Sequence, residues 1–150
     1  MQTRIYLFIA GGEFVKAFNV HQPWAELIIS GRKKIEVRKQ SPGHQGLIAV
    51  RSTKTVLEDQ CKRLGIDYNK VPTEVIVGTV EITKVIKLTQ QLYEDLRNEH
   101  LSIVPYDEKF VGWRLENPQR LKSPILYTKP LPGVFVLRKE IAEKIQEAQK

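Results

Sequence analysis

The chain of 150 residues has a single cysteine, Cys61, and three histidines, His21, His44 and His100. One cysteine excludes an internal disulfide and any cysteine-rich zinc module, and we expect such a chain in a reducing, cytoplasmic compartment. The histidines lie too far apart for a local metal-binding motif. Sequence motifs of P-loop, dinucleotide-binding and esterase proteins are also missing, so those functions have no sequence support.

Long hydrophobic runs are missing as well. The longest one, Ile5–Ala10, is far short of the about 20 residues that span a bilayer. It is also shorter than the roughly 7–15-residue core of a secretory signal. We therefore expect no membrane partner and no cleaved leader. Because internal repeats are not visible either, the length predicts one compact domain.

Positive charge is abundant and concentrated in one segment. The formal net charge is +7, of which the segment 31–54 carries +6. Two interpretations stay open: a basic surface that maintains solubility, or a site for a phosphate-bearing ligand such as RNA or DNA. The basic residues of this segment are Arg32, Lys33, Lys34, Arg38, Lys39, Arg51 and Lys54, with Glu36 as its one acid.

The hydrophobic pattern predicts strands and helices in an irregular order. Many short strands with proline and glycine between them favour an α+β or mainly β fold, a small antiparallel β-barrel decorated by about four helices. The predicted helices run from Pro23 to Gly31, over Thr53–Leu64, from Thr89 through Leu96, and over Lys139–Ala148. The predicted strands are Phe14–Val20, Lys34–Lys39, Leu47–Arg51, Glu74–Leu88, Val111–Leu115, Ile125–Thr128 and Val134–Leu137.

The stretch from His21 to Arg38 is the most informative, because a helix there ends at a glycine and passes directly into a strand of alternating charges. It contains the spacing G-x-K-x-x-E-x-R as Gly31, Lys33, Glu36 and Arg38. Further blocks follow in order: Gly46-Leu47-Ile48-Ala49-Val50, Gly78-Thr79-Val80-Glu81 and Gly112-Trp113-Arg114-Leu115-Glu116-Asn117-Pro118. Together the blocks resemble the ASCH domain, a family with a PUA-like β-barrel fold.

The resemblance covers residues 14–138. Residues 1–13 are then an N-terminal extension or edge strand, and 139–150 a C-terminal helix packed on the same domain. The resemblance implies a cleft between the barrel and the helix before the motif strand, suited to RNA, nucleotides or modified nucleosides. We therefore expect a nucleic-acid or nucleotide-binding module, related to RNA, with a basic cleft at the helix-to-strand junction. DNA, base preference and oligomeric state stay open.

The residue chemistry is compatible with this expectation. An arginine can fork onto a phosphate or a base edge, and a tryptophan can stack on a base for about 1–3 kcal/mol. Core packing is the favoured alternative for both tryptophans, and an ordinary surface ion pair is the alternative for Glu36 and Arg38. The motif further requires Lys33 to precede the regular strand or to lie at a bulge. The candidate ligand-binding residues are Trp24, Lys33, Lys34, Glu36, Arg38, Arg51, Lys54 and Trp113.

The resemblance also raises an enzymatic alternative. Some relatives of this fold are amidohydrolases that deacetylate acetylcytidine with a lysine, a threonine and a glutamate, and others have been linked to ribonuclease activity. The lysine falls on Lys33 and the glutamate on Glu81, but the threonine position holds Glu36, which cannot donate a proton when ionised. An enzyme would therefore use Lys33, Glu36 and Glu81 as its catalytic residues. A protein-interaction adaptor ranks third. No metal is predicted, since Glu36 and Glu81 lack a third ligand at usable spacing, and no cofactor is expected.

Overall fold

A computed structural model describes residues 15–149, so the predicted extension over residues 1–13 lies outside the described part. No helix within that part is both long and apolar enough to cross a bilayer. The fold is α+β, with six strands and five helices among the described residues, one helix more than predicted. In chain order they are β1 (Lys16–Gln22), α1 (Trp24–Ile29), β2 (Ile35–Arg38), β3 (Gly46–Val56), α2 (Glu58–Leu64), β4 (Val75–Lys87), α3 (Gln90–Asp95), α4 (Arg97–His100), β5 (Val111–Leu126), β6 (Val134–Val136) and α5 (Lys139–Ala148).

The strands form one mixed sheet in the order β2-β5-β4-β3-β1-β6. Neighbours are antiparallel except β1 and β3, which are parallel. Parallel neighbours need a crossover, and here the crossover consists of α1 and β2, with β2 lying at the far edge beside β5. Over residues 15–149 the two edge strands do not pair, so the sheet is open and the predicted antiparallel barrel is not confirmed.

Two apolar clusters hold helices against the sheet. The first joins α1 to the sheet through Ile28, Phe18 and Trp113, and the rings of Phe18 and Trp113 meet edge to face with centroids 5.6 Å apart. The second joins α5, through Ile141 and Ile145, to residues of β1, β3, β4, β5 and β6. The C-terminal helix thus packs on the same sheet as the rest of the described chain.

Two elements differ from the sequence prediction. The helix expected over Thr53–Leu64 starts only at Glu58, because β-branched residues prolong β3 to Val56, which pairs with Gln22 of β1. The two strands expected near residues 111 and 125 are one strand, β5. It passes both prolines through register shifts against β4, and Asn117 adopts a positive φ of 51° before Pro118. Such irregularities are how a strand tolerates proline.

Gly78 of β4 lies against the main chain of β5 and against Ile29 at the end of α1. A Cβ there would lie 2.1 Å from the main-chain oxygen of Gln119 and 2.5 Å from Cδ1 of Ile29. At Gly112, another strand glycine, the nearest atom would be a side-chain methyl of Ile35 at 2.9 Å. A main-chain oxygen within a sheet moves less easily than a side-chain methyl. A side chain larger than that of glycine is therefore less tolerated at Gly78 than at Gly112.

We expect Gly78→Ala to lower the free energy of unfolding by about 3 kcal/mol, at the upper end of overpacking effects, and Gly112→Ala by about 1 kcal/mol. Urea denaturation of the two variants beside the wild type measures both. Equal losses would contradict the backbone clash described at Gly78.

Candidate functional site

A recess of about 620 Å³ opens at the junction of α1 and β2. Trp24 forms one side, and Lys33 and Glu36 of the charged motif lie in it. The opposite walls are the segment 56–60, where β3 passes into α2, and the segment 102–104, which precedes β5. The motif, the end of a helix and two connecting segments thus share one concave surface, which is the usual form of a small-ligand site.

Local interactions around α1 bring the motif to this place. The Gln22 side chain accepts the main-chain N–H of Glu26 (3.0 Å) and donates to the carbonyl of Pro72 (2.9 Å), which fixes the start of the helix. At the other end Gly31 has φ of +85°, a left-handed conformation that favours glycine. The resulting turn lets the N–H of Lys33 donate to the Leu27 carbonyl at 2.8 Å. Lys33 therefore precedes the regular strand, as the motif requires.

The Lys33 side chain is buried, with 3% of its surface exposed. Its Nζ donates to the main-chain carbonyl of His100, lies 3.6 Å from Oε1 of Glu36, and stands 5.0 Å from the centre of the Trp24 ring. Burial lowers the pKa of Lys33, and this effect exceeds the opposing attraction of Glu36. Lys33 can therefore donate a hydrogen bond as an ammonium and also give up its proton more easily than an exposed lysine.

Glu36 lies between two cations. Its Oε1 faces Lys33, and its Oε2 accepts the Nε–H of Arg38 at 2.7 Å. Arg38 also donates to the main-chain oxygen of Asn19, and its guanidinium lies 5.3 Å from the centre of the Trp113 ring. Arg38 is thus held by contacts within the protein and does not line the recess.

The other predicted site residues lie elsewhere. Lys34 is exposed and lines a second, smaller recess of about 310 Å³ beside Asn117. Glu81, on β4, accepts a hydrogen bond from Asn117 (2.7 Å) and does not line the larger recess. Trp113 is in the core, with its indole N–H donated to the Gln40 carbonyl at 3.0 Å.

The two remaining predicted basic residues, Arg51 and Lys54, lie on β3 and do not line the recess. Arg51 is buried, its Nε–H donated to the carbonyl of Tyr127 (2.7 Å), and burial lowers its pKa. Lys54 is exposed near the end of β3. Arg51 also donates to Oδ1 of Asn19 at 3.1 Å, and Arg38 donates to the main-chain oxygen of the same residue, so the two arginines meet at β1 and not in the recess. Of the predicted residues, the recess therefore brings together Trp24, Lys33 and Glu36.

Sequence reasoning missed the acidic rim of the recess. Glu58 and Asp59 are exposed in the first turn of α2 and line it, so its walls hold three carboxylates and one cation. A helix starting at Thr53 would place these acids in mid-helix, which is why the signal was not recognised. Within the described residues no three His, Cys, Asp or Glu side chains cluster as a metal would need.

The open mixed sheet, the helix-to-strand junction and the recess beside it define a small PUA-like α+β domain. The ASCH domain family model matches residues 18–125. The chain therefore belongs to the ASCH domain family, and the resemblance noted in its sequence is confirmed.

Solved structures show the same fold. The ASCH protein from Zymomonas mobilis is 17% identical, with a TM-score of 0.65 over 88% of this chain and 93% of that one. Serine-to-alanine and tyrosine-to-phenylalanine mutants of that protein give 16% and 15% identity, with TM-scores of 0.62 and 0.63. They cover 88% and 90% of this chain, and 94% and 98% of their own. No curated protein matches the sequence.

The position of Glu36 between two cations predicts unequal effects of removing the members of this group. Glu36→Gln leaves Lys33 and Arg38 facing each other without a carboxylate, whereas Lys33→Met leaves Glu36 neutralised by Arg38. We expect Glu36→Gln to lower the free energy of unfolding by about 3–5 kcal/mol, as for other broken buried pairs, and Lys33→Met to lower it by clearly less.

Urea denaturation at pH 7 measures these losses. The matched control is Glu140→Gln, which removes an exposed carboxylate 3.7 Å from Arg138, and we expect it to change stability by less than about 1 kcal/mol. A larger loss for Lys33→Met than for Glu36→Gln would contradict the central place of Glu36.

Proposed function

We propose that this ASCH domain binds RNA, or a nucleotide or nucleoside, by taking one unpaired base into the recess. The observation that carries the proposal is the Lys33–Glu36 pair, which is buried and opens onto the same recess as Trp24. A nucleobase presents donors and acceptors along its edge and a flat face above it. Lys33 supplies a donor, Glu36 an acceptor, and Trp24 an aromatic ring for stacking.

The charges of the recess indicate which part of the ligand enters. Glu58 and Asp59 on its rim disfavour a phosphate, so the base enters and the sugar-phosphate stays outside. The proposed phosphate contacts are then the exposed lysines Lys34 and Lys54. This arrangement modifies the expectation of a basic cleft: Lys33 is the cation in the recess, and the other cations contribute from outside.

Base stacking in the recess predicts a loss of affinity when the Trp24 ring is removed. We expect Trp24→Leu to weaken binding of a single-stranded RNA oligonucleotide by about 5- to 150-fold, the equivalent of 1–3 kcal/mol. Fluorescence anisotropy measures the affinity, and circular dichroism checks that the variant is folded. The matched control is Tyr68→Leu, an aromatic residue that does not line the recess, and it should bind as the wild type does.

The same titrations at several salt concentrations test the phosphate contacts. The logarithm of affinity should fall with that of salt, and Lys54→Ala should make the slope shallower by about 0.7 if Lys54 neutralises one phosphate. Absence of RNA binding, or equal affinity of wild type and Trp24→Leu, would overturn the proposal. A DNA oligonucleotide of the same sequence shows whether the 2′-hydroxyl is recognised.

A hydrolase acting on acetylcytidine-type nucleosides or on RNA is the second candidate. The observation that favours it is Lys33, a buried amine of lowered pKa at the recess. Such a lysine can take a proton from water as the water attacks an acyl carbon, and return it to the cytosine nitrogen as the amide C–N bond breaks and acetate leaves. Glu36 orients the amine. Glu81 does not line this recess, so Lys33 and Glu36 are its proposed catalytic residues.

Turnover of acetylcytidine tests this candidate. We expect product formation by the wild type, loss of turnover in Lys33→Met and Glu36→Gln, and retained turnover in Glu81→Gln, which serves as the carboxylate control. Chromatographic detection of cytidine and acetate measures the reaction. No product above background with the wild type would remove the candidate and leave the binding proposal intact.

Three further expectations stay proposals. The ASCH unit is assigned to residues 14–138, with 139–150 as a helix on the same domain, and the packing of Ile141 and Ile145 in the second cluster supports that assignment. A cytoplasmic location rests on the single cysteine, Cys61, which is buried. The adaptor role would use exposed apolar side chains; Ile103 and Val104 belong to the recess, whereas Leu126, Leu131 and Val136 are exposed outside it.

A further inference from the structure

His100, at the end of α4, is fully buried, and its side chain does not line the recess. Its ring stacks on Tyr93, with centroids 4.5 Å apart and planes 13° from parallel. Both ring nitrogens have partners: Nε2 lies 2.7 Å from the main-chain oxygen of Tyr93, and Nδ1 lies 3.0 Å from the main-chain nitrogen of Ser102.

These partners allow one protonation state. A carbonyl oxygen can only accept, so Nε2 must carry a hydrogen, and a main-chain N–H can only donate, so Nδ1 must be bare. His100 is therefore held as the neutral Nε2–H tautomer. A proton on Nδ1 would set two donors against each other and remove the hydrogen bond to Ser102.

The ring and the main-chain carbonyl of His100 contact different parts of the recess. The ring accepts the main-chain N–H of Ser102, the first residue of the 102–104 wall, and the main-chain carbonyl of His100 accepts the Nζ hydrogen bond of Lys33. Tyr93, which stacks on the ring, binds the same wall through its hydroxyl, 2.6 Å from the Val104 carbonyl. The turn between them is tight: Leu101 has a positive φ of 62°, and Arg97 donates to the Ser102 carbonyl at 2.7 Å. Movement of the ring therefore reaches both the wall and the lysine.

We propose that neutral His100 is a positioning residue that holds Lys33 and the 102–104 wall in place, and that protonation of its ring releases both. Acidification then opens the recess while the sheet stays folded. The part that concerns ligand affinity rests on the proposed function, but the opening of the wall does not.

The surroundings of the His100 ring favour its neutral form. Burial lowers the pKa of His100, and Lys33 before β2 and Arg97 on α4 act in the same sense. The hydrogen bond to the Tyr93 carbonyl, second in size to burial, and the weaker attraction of the Glu94 carboxylate raise the pKa, but they do not outweigh burial. Because the folded pKa is below the ordinary value of 6.5, the stability of the closed wall is complete above about pH 6.5 and is lost as the pH falls through the folded value.

Amide hydrogen exchange of residues 101–104 between pH 7.5 and pH 4.5, corrected for intrinsic exchange rates, tests the proposal. We expect protection in the wild type to fall at least tenfold on acidification while β3 and β4 stay protected. His100→Asn is the conservative variant, since its side-chain oxygen can accept from Ser102 and does not titrate; its protection should be independent of pH. The matched control, His44→Asn, removes a histidine outside the recess and should behave as the wild type does.

A wild-type wall that keeps its protection throughout this range, or a His100→Asn protein with the same pH dependence as the wild type, would overturn the proposal. Nitrogen chemical shifts of the wild-type imidazole give a test without any substitution: a bare Nε2 at pH 7.5 would also overturn it. RNA affinity is measured in parallel and should fall with wall protection. If RNA does not bind at any pH while the wall still opens, the proposed function fails and the role of His100 stands.

Discussion

A buried carboxylate between two cations organises this domain. Glu36 faces Lys33 on one side and Arg38 on the other, and through them it reaches the end of α1, the main chain of β1 and the ring of Trp113. The two cations compensate the buried carboxylate, and the carboxylate in turn compensates the buried amine of Lys33. The need to keep them together fixes where the helix ends and where β2 starts, and so also where the recess opens.

Much of the candidate site was readable from the sequence because it is local. The spacing from Gly31 to Glu36 specifies a helix stop, a short turn and a strand, and these bring Lys33 close to Glu36. The distant carbonyl of His100 then completes the surroundings of the Lys33 amine. The family and its α+β class followed from the order of linked blocks. The C-terminal helix was predicted with its observed bounds because Ile141 and Ile145 repeat at helical spacing.

The features that the sequence does not predict depend on pairing between strands that are far apart in the sequence. Nothing in the local pattern says that β2 lies beside β5 rather than β3, or that Arg51 of β3 is buried against the Tyr127 carbonyl and stays outside the recess. The start of α2 was missed for a related reason. The sequence of Thr53–Val56 is compatible with a helix or a strand, and pairing with β1 makes it a strand. The helix then starts at Glu58, which places this residue at the rim of the recess.

The pairing of β2 with β5 has a consequence for how the domain is synthesised. Ile35 finds its partner only at Arg114, and the recess also needs Phe110 and the carbonyl of His100. A nascent chain emerging from the ribosome thus carries the complete charged motif long before it possesses the cavity. During that interval Lys33, Glu36 and Arg38 are ordinary solvated side chains, and the recess forms only when the last long strand has docked.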